Sequence, residues 1–374
     1  MIMITGACAC SRISLPRSIR KRRRFVMAHD TSNKRLGLVS PRDLEALIRD
    51  LEEIKPWRGL AKSAIGYGVF MVLAIAAVYS PYPAVSIGLA FVAGLIVTTL
   101  MVMTHDAIHR TLTGWAWYDE LYPLAVSYPL LWPHQTYREI HKIHHKMNGS
   151  DENDPERVQW TEEEYAKAGK FVQWYVRNQW MVDMFVLGGI GFIISTLSRA
   201  LPFARHVKSM RRALIVDAIG ILGVNLTIYG ICISQGLGLK YFLLYLLVER
   251  MVGTLQQLRA HAEHYGRFGK AAHYFETQIF NCRNIRTSDL VSFFYNGLNF
   301  HSVHHAFVKI PFYNLGEAHR RIVAAYGDKC PVLEEDSYLQ VAIRAIRRPL
   351  LIGETDPGSA VGQARMKSVN SKRD

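Results

Sequence analysis

The sequence predicts an all-α membrane protein: two transmembrane helical hairpins, four spans in all, with interfacial helices and a histidine-rich helical cap. Three observations predict it. Residues 63–104 contain no Asp, Glu, Lys or Arg, and residues 218–239 form a second uncharged run. Histidines crowd into short boxes at 105–109, 141–145 and 301–305, close to the ends of such runs or between them.

Composition narrows the class. The chain has 374 residues, enough for one large or two medium domains, is 49% hydrophobic, and carries a formal charge of +14. A basic nucleic-acid binder spreads its charge over a soluble fold. Here the apolar residues come in blocks, so a membrane protein with its basic residues on one side is the better reading, and no nucleic-acid partner is expected.

The elements follow in chain order. Residues 1–26 are basic, with "SRISLPRSIRKRRRF" and no acidic residue before Asp30. They lack the apolar core of a signal peptide, and read as a targeting segment or as an extension ahead of a true start at Met27. Residues 27–60 form a cytoplasmic N-terminal region with helix. The membrane domain covers 61–325. In it, the run 63–104 is long enough for two spans of about 20 residues each. Pro81 and Pro83 break it, giving helices near 62–80 and 84–104. Residues 184–198 are uncharged but short and bear Gly188, Gly189 and Gly191. Basic residues from Arg199 to Arg212 follow with no acid among them, so 184–198 reads as interfacial or re-entrant. The second hairpin turns at 234–240 and returns over about 241–258. Glu249 and Arg250 on the return must face protein or the interface, because charge in lipid is costly. Residues 326–374 end in a polar tail from about Gly353, expected to be disordered. An aromatic-rich loop at 121–133 lies where it can roof a site or pack at the interface. There are no internal repeats.

Five cysteines, at 8, 10, 232, 282 and 330, make no CxxC pair. No zinc ribbon or thiolate iron–sulfur site is written in them, and metal chemistry has to come from nitrogen ligands.

The histidines supply such ligands. "THDAIHR" places His105 and His109 at i and i+4, on one helical face. "HKIHHK" holds His141, His144 and His145, and "NFHSVHHAF" repeats that spacing with His301, His304 and His305. "LRAHAEHYG" adds His261 and His264 just past the second hairpin. One such box is weak evidence; three on one membrane face point to metal. His29, His134, His206, His273 and His319 stand outside the boxes and read as ordinary structural histidines.

On these motifs the chain resembles the membrane fatty acid desaturase/hydroxylase superfamily, whose boxes HxxxH, HxxHH and HxxHH match "HDAIH", "HKIHH" and "HSVHH", with the "EH" of "RAHAEH" before the last. "NFHSVHHAFVKIPFYNLGEAH" and "NDPE" also look like the family, most like its bacterial desaturases. The resemblance covers roughly residues 60–325. It implies a histidine-rich di-metal site, a di-iron centre bound by His105, His109, His141, His144, His145, His264, His301, His304 and His305, with no catalytic side chain beyond the ligands. Ligand type alone does not choose among iron, copper and zinc. Nine ligands exceed what one ion of coordination number four to six takes, and fit two ions that each keep a position open. Asp106, Asp154 and Glu263 are candidates to orient imidazole N–H groups, or else solvated cap and loop residues. His264 is assigned to metal. His261, at i−3, takes a supporting or structural role.

The resemblance implies dioxygen as co-substrate and an acyl chain or other lipid drawn from the membrane, with desaturation as the first expectation. Hydroxylation or ketolation of a lipid or carotenoid is the alternative within the superfamily. A non-oxidative histidine-rich metal protein or zinc hydrolase is the alternative outside it. No heme or iron–sulfur motif is fused to the chain, so a separate ferredoxin, rubredoxin or cytochrome b5 is expected to deliver electrons. The basic loop 199–212 is its candidate landing site, unless that charge serves topology or lipid headgroups. The protein is expected to be multi-pass, with its histidines on the cytoplasmic side of a bacterial inner membrane.

Overall fold

The computed structural model describes residues 41–269, 274–327, 334–335, 337–347 and 351–352. The basic extension, Met27, His29, His273, Cys8, Cys10, Cys330 and the tail from Gly353 lie outside those residues. The helices in order are α1 Pro41–Ile48, α2 Pro56–Tyr79, α3 Pro83–Ile108, α4 Ala116–Ser127, α5 His134–Met147, α6 Glu162–Lys167, α7 Lys170–Met181, α8 Gly188–Ala204, α9 Lys208–Ser234, α10 Gly238–His264, α11 Tyr274–Phe280, α12 Asp289–Phe294, α13 His301–Ala306, α14 Leu315–Tyr326 and α15 Tyr338–Arg347.

Two long hairpins organise the molecule. α2 and α3 each open on a proline at the first turn, where the missing N–H costs nothing. α2 therefore starts at Pro56, earlier than the uncharged run. α9 also reaches back past its run to Lys208, and α10 extends to His264. At about 1.5 Å per residue, each is long enough for a hydrocarbon core of about 30 Å. The two hairpin turns meet: the Tyr79 hydroxyl donates to Gln235 Oε1, and the Lys240 ammonium to the Ser80 carbonyl. Every histidine box lies at the opposite end. Ile65, Val72 and Ile75 of α2 and Ile219, Leu222 and Leu226 of α9 are more than half exposed. Such faces suit lipid and would be a liability in water.

By length and composition, four described stretches could cross a bilayer: Pro56–Tyr79, Pro83–Ile108, Lys170–Ala204 and Lys208–Ser234. Contacts decide otherwise for the third, and give its place to α10. A π-helical turn, Val182–Leu187, joins α7 to α8, and Gly188 adopts φ 54° and breaks the helix. The Asp183 carboxylate accepts from His261 Nε2 at 3.0 Å, near the histidine end of α10. Gly188 and Gly189 lie against Gly253, farther down that helix, so closely that a Cβ on Gly253 would sit 1.9 Å from Gly189 N. α8 then returns, and Arg199 donates to the carbonyls of Pro155 and Arg157 beside the second box. The segment thus doubles back beside α10 instead of running straight through. Glu249 and Arg250 secure the turn. Glu249 accepts from Ile190 N at 2.8 Å, and Arg250 donates to the carbonyls of Val186 and Leu187 at 2.5 and 2.7 Å.

The cap covers the histidine end. Leu298, Ile310, Leu315 and Ile322 centre its apolar core, which takes in Leu44 of α1, Val341 of α15 and Trp180 of α7. Its one strand pairing among the described residues is short and parallel, Asn284–Ile285 with Glu334–Glu335. The aromatic stretch 121–133 is not a loop. It is the end of α4 and a 3-10 turn, packed on α3 through a Tyr122 hydroxyl that donates to Leu100 O at 3.1 Å.

Candidate metal centre

Four elements deliver the imidazoles. α3 carries His105 in its last turn and is capped by His109. α5 presents His141, His144 and His145 from one face. α10 ends on His264, and the short α13 carries His301, His304 and His305. All nine come together at the base of the cap. Eight of them sort into two groups whose donor atoms lie within 4.8 Å of one another: His105, His109, His141, His145 and His304; and His264, His301 and His305 with Cys282. His144 sits beside the second group, its ring centroid 4.9 Å from that of His264 and 5.0 Å from that of His305.

The nitrogens face one another in a way that imidazoles alone do not favour. Nε2 of His145 is 2.9 Å from Nε2 of His141, and Nε2 of His301 is 2.8 Å from that of His264 and 3.1 Å from that of His305. Two nitrogens bound at right angles to one ion, each at about 2.1 Å, lie about 3 Å apart. Both ring nitrogens of His105 and Nε2 of His109, His144 and His304 are buried without any hydrogen-bond partner. Buried polar atoms left unpaired are costly, and shared ions satisfy them together. The donor set fits a metal site. Burial, then neighbouring imidazoles, hold His145, His301, His304 and His305 well below the usual histidine range, in the neutral form that ligates. His144 differs: burial disfavours its charge, but the Asp154 and Glu156 carboxylates lift it to about 9, so an ion there competes with a proton.

A ring of partners stands behind the imidazoles. Both Asp154 oxygens are 2.9 Å from His144 Nδ1, and Glu263 Oε2 is 3.3 Å from His301 Nδ1 while Arg259 donates to it at 2.8 Å. Asp106 is placed differently: its carboxylate accepts from Asn296, which also takes a hydrogen bond from Lys62 at 2.8 Å. His261 is held away from both groups, on Asp183 and stacked against Trp180 at 4.9 Å. His319 bonds Glu334 and Asn284.

Several partners escaped the sequence reading. Glu156 Oε1 takes His141 Nδ1 at 2.8 Å, and "NDPE" held that signal two residues past Asp154. Asn148 and Gln278 approach His305 Nδ1 at 3.3 Å. Cys282 lies 3.8 Å from His264 Nδ1 and accepts from Asn148 Nδ2 at 3.0 Å. No local spacing marks these three.

Comparison with known proteins completes the picture. The family model for fatty acid desaturase matches residues 80–335. A stretch of 134 residues is 29% identical to the sn-1 oleoyl-lipid 12-desaturase of Picosynechococcus sp., covering 35% of this chain and 37% of that protein, little more than a third of the relative's length. Over 304 residues the chain is 22% identical to the sn-1 oleoyl-lipid 12-desaturase of Synechocystis sp., covering 79% and 83% respectively. Over 229 residues it is 24% identical to the ceramide hydroxylase of Caulobacter vibrioides, covering 54% and 63%. A helical, multi-pass membrane chain with its histidine boxes gathered at one end, matched by this family model over most of its length, belongs to the fatty acid desaturase family, within the membrane desaturase/hydroxylase superfamily.

Proposed function

We propose that the chain is an oxygen-dependent di-iron desaturase that introduces a double bond into an acyl chain, carried by a lipid or a thioester. The observation that carries this reading is the sorting of the imidazoles into two facing nitrogen groups at the inner end of the membrane helices. In this reading His105, His109, His141, His145 and His304 hold one ion, and His264, His301, His305 and His144 hold the other. Two iron ions with dioxygen supply the oxidising power to remove hydrogen from an unactivated methylene. The chain's own residues do the rest. Asp154 and Glu156 accept Nδ1–H bonds, so that Nε2 of His144 and His141 faces inward, and the Glu263 carboxylate lies 3.3 Å from His301 Nδ1. The cap core above and the packed helices below exclude water. The acyl chain enters from the bilayer along the spans that end at the boxes.

Electrons come from a separate ferredoxin, rubredoxin or cytochrome b5. Arg205, Lys208, Arg211 and Arg212 are exposed at the α8–α9 turn, on the histidine side, and would steer an acidic donor. The same charge favours a cytoplasmic placement of the histidine end in a bacterial inner membrane. The match to a ceramide hydroxylase supports a second reading, hydroxylation of a lipid by the same centre.

Expression in a host with a simple lipid profile, followed by mass spectrometry of total lipids, tests the proposal. A new double bond supports it, and a new hydroxyl or keto group moves the assignment to the second reading. About two irons per chain are expected on metal analysis; a single zinc would overturn the oxidative reading altogether.

A further inference from the structure

The short helix α12 of the cap carries an apolar side that the protein leaves uncovered. Ser288 caps it, and Leu290, Phe293 and Phe294 fall at i, i+3 and i+4, on one helical side. Leu290 and Phe293 are more than half exposed and Phe294 more than a third. Val291, turned the other way, packs against the apolar core of the cap. α12 lies against the histidine end of the first hairpin. The Lys62 ammonium of α2 donates to Phe293 O at 2.7 Å and to Asn296 Oδ1 at 2.8 Å, and stands 4.0 Å from the centroid of the Phe293 ring. Lys62 is the last charged residue before the uncharged run that begins at Ser63. A lysine so placed keeps its stem on apolar surface and its ammonium at the polar boundary. Ile65, about 4.5 Å farther along α2 at roughly 1.5 Å per residue, is already on the exposed apolar side of the span. The Phe293 ring therefore stands at the height where α2 leaves the hydrocarbon. Indoles mark the same height. Tyr118 meets Ser63 Oγ at 2.6 Å, and its neighbour Trp117 is more than half exposed, as is Trp57 in the first turn of α2. Exposed tryptophans favour the headgroup level.

We infer that α12 is a foot by which the cap rests in the membrane, with Leu290, Phe293 and Phe294 in the acyl region of the leaflet on the histidine side. Lipid is the occupant of this side because Lys62 and Phe293 make it continuous with the lipid-facing side of a spanning helix. Interfacial helices bury their apolar side about 5–10 Å into the headgroup and acyl boundary. The foot bears on the metal centre. α12 leads through Asn296 directly into the last box, and Asn296 joins Lys62 to the Asp106 carboxylate beside His105. The bilayer surface thus sets the height of the first and last boxes together. This inference rests on the membrane placement of the hairpins and not on the reaction.

Photo-cross-linking of the full-length, metal-loaded protein in phosphatidylcholine nanodiscs tests it. Benzoylphenylalanine, which on illumination inserts into C–H bonds within reach, is installed singly in place of Leu290. The same residue in place of Leu222, on the exposed side of α9, gives the lipid reference, and in place of Glu163, on the exposed cap helix α6, the water reference. Peptide mass spectrometry is expected to show phosphatidylcholine adducts at 290 in a yield comparable to that at 222 and many-fold above that at 163. If the substitution at 290 lowers metal content, position 294 on the same side decides in its place. Adducts to a second copy of the chain instead of lipid would assign the exposed side to self-association and overturn the foot. A yield no higher than at 163 would leave α12 in water and overturn it equally. Loss of lipid adducts at 222 as well would overturn the membrane placement of the hairpins along with the foot.

Discussion

Asp217, on the membrane helix α9, accepts the backbone N–H of Thr136 at 2.7 Å. Its other oxygen accepts from Gln135 N and from the Tyr128 hydroxyl, both at 3.0 Å. An acid from one helix thus caps the first turn of another, α5, which carries the whole second box. The first amides of a helix have no partner within it, and a carboxylate also suits the positive end of the helix dipole. A buried acid in a spanning helix is expensive, and here the expense secures the angle at which three imidazoles enter the site. Asp217→Ala is expected to lower stability by about 1–3 kcal/mol and to reduce metal content. Asp217→Asn keeps an acceptor and should retain most of both. Thermal melting with metal analysis checks this; equal metal content in wild type and Asp217→Ala would refute the positioning role.

His264 and His261 divide the work of the α10 terminus. His264→Ala should remove metal from the second group, since its Nε2 faces His301 at 2.8 Å. His261→Ala should leave metal bound while loosening α7, whose Trp180 loses its stacking partner. Metal content resolves the pair: the reverse pattern would place the centre one helical turn nearer the membrane.

Asp154 and Glu156 act through the imidazoles they hold. Replacing either by its amide removes an ionised acceptor and is expected to weaken metal binding roughly 10- to 100-fold. Competition against a graded chelator measures the change, and unaltered affinity in both variants would remove them from the site.

Gly253 is required by space. A methyl there would meet the Gly188–Gly189 backbone at 1.9–2.6 Å and push α8 from α10. Gly253→Ala should cost at least about 1–3 kcal/mol and lower both melting temperature and metal content. Gly230→Ala, with nothing within 4 Å of the new Cβ, should change neither. Indistinguishable melting curves for the two would contradict the close packing.

The doubling back of Lys170–Ala204 has a direct readout. In a cysteine-free background, single cysteines at the Pro81 and Gly236 turns should react with an impermeant reagent added outside intact cells. Arg205→Cys should not. Labelling at position 205 would mean that this stretch crosses after all.

Much of this was legible in the residues themselves, because its signals are local. An uncharged run has few fates other than a membrane, and i, i+3 and i+4 spacing puts imidazoles on one helical face. Hence the hairpins, the boxes and the preference for His264 could be read before any coordinates. The glycines and following basic residues likewise marked 184–198 as unlike a plain span, and the stretch does double back at Gly188. Tertiary structure alone decided what depends on residues far apart in the chain. It sorted eight imidazoles from four elements into two groups with His144 beside the second, brought Cys282 and Gln278 to that group, turned Asp106 to Asn296, and set Asp217 under α5. Spacing reports which side chains share a face. It does not report which faces meet, because that is settled by packing and hydrogen bonding between segments that no local pattern links.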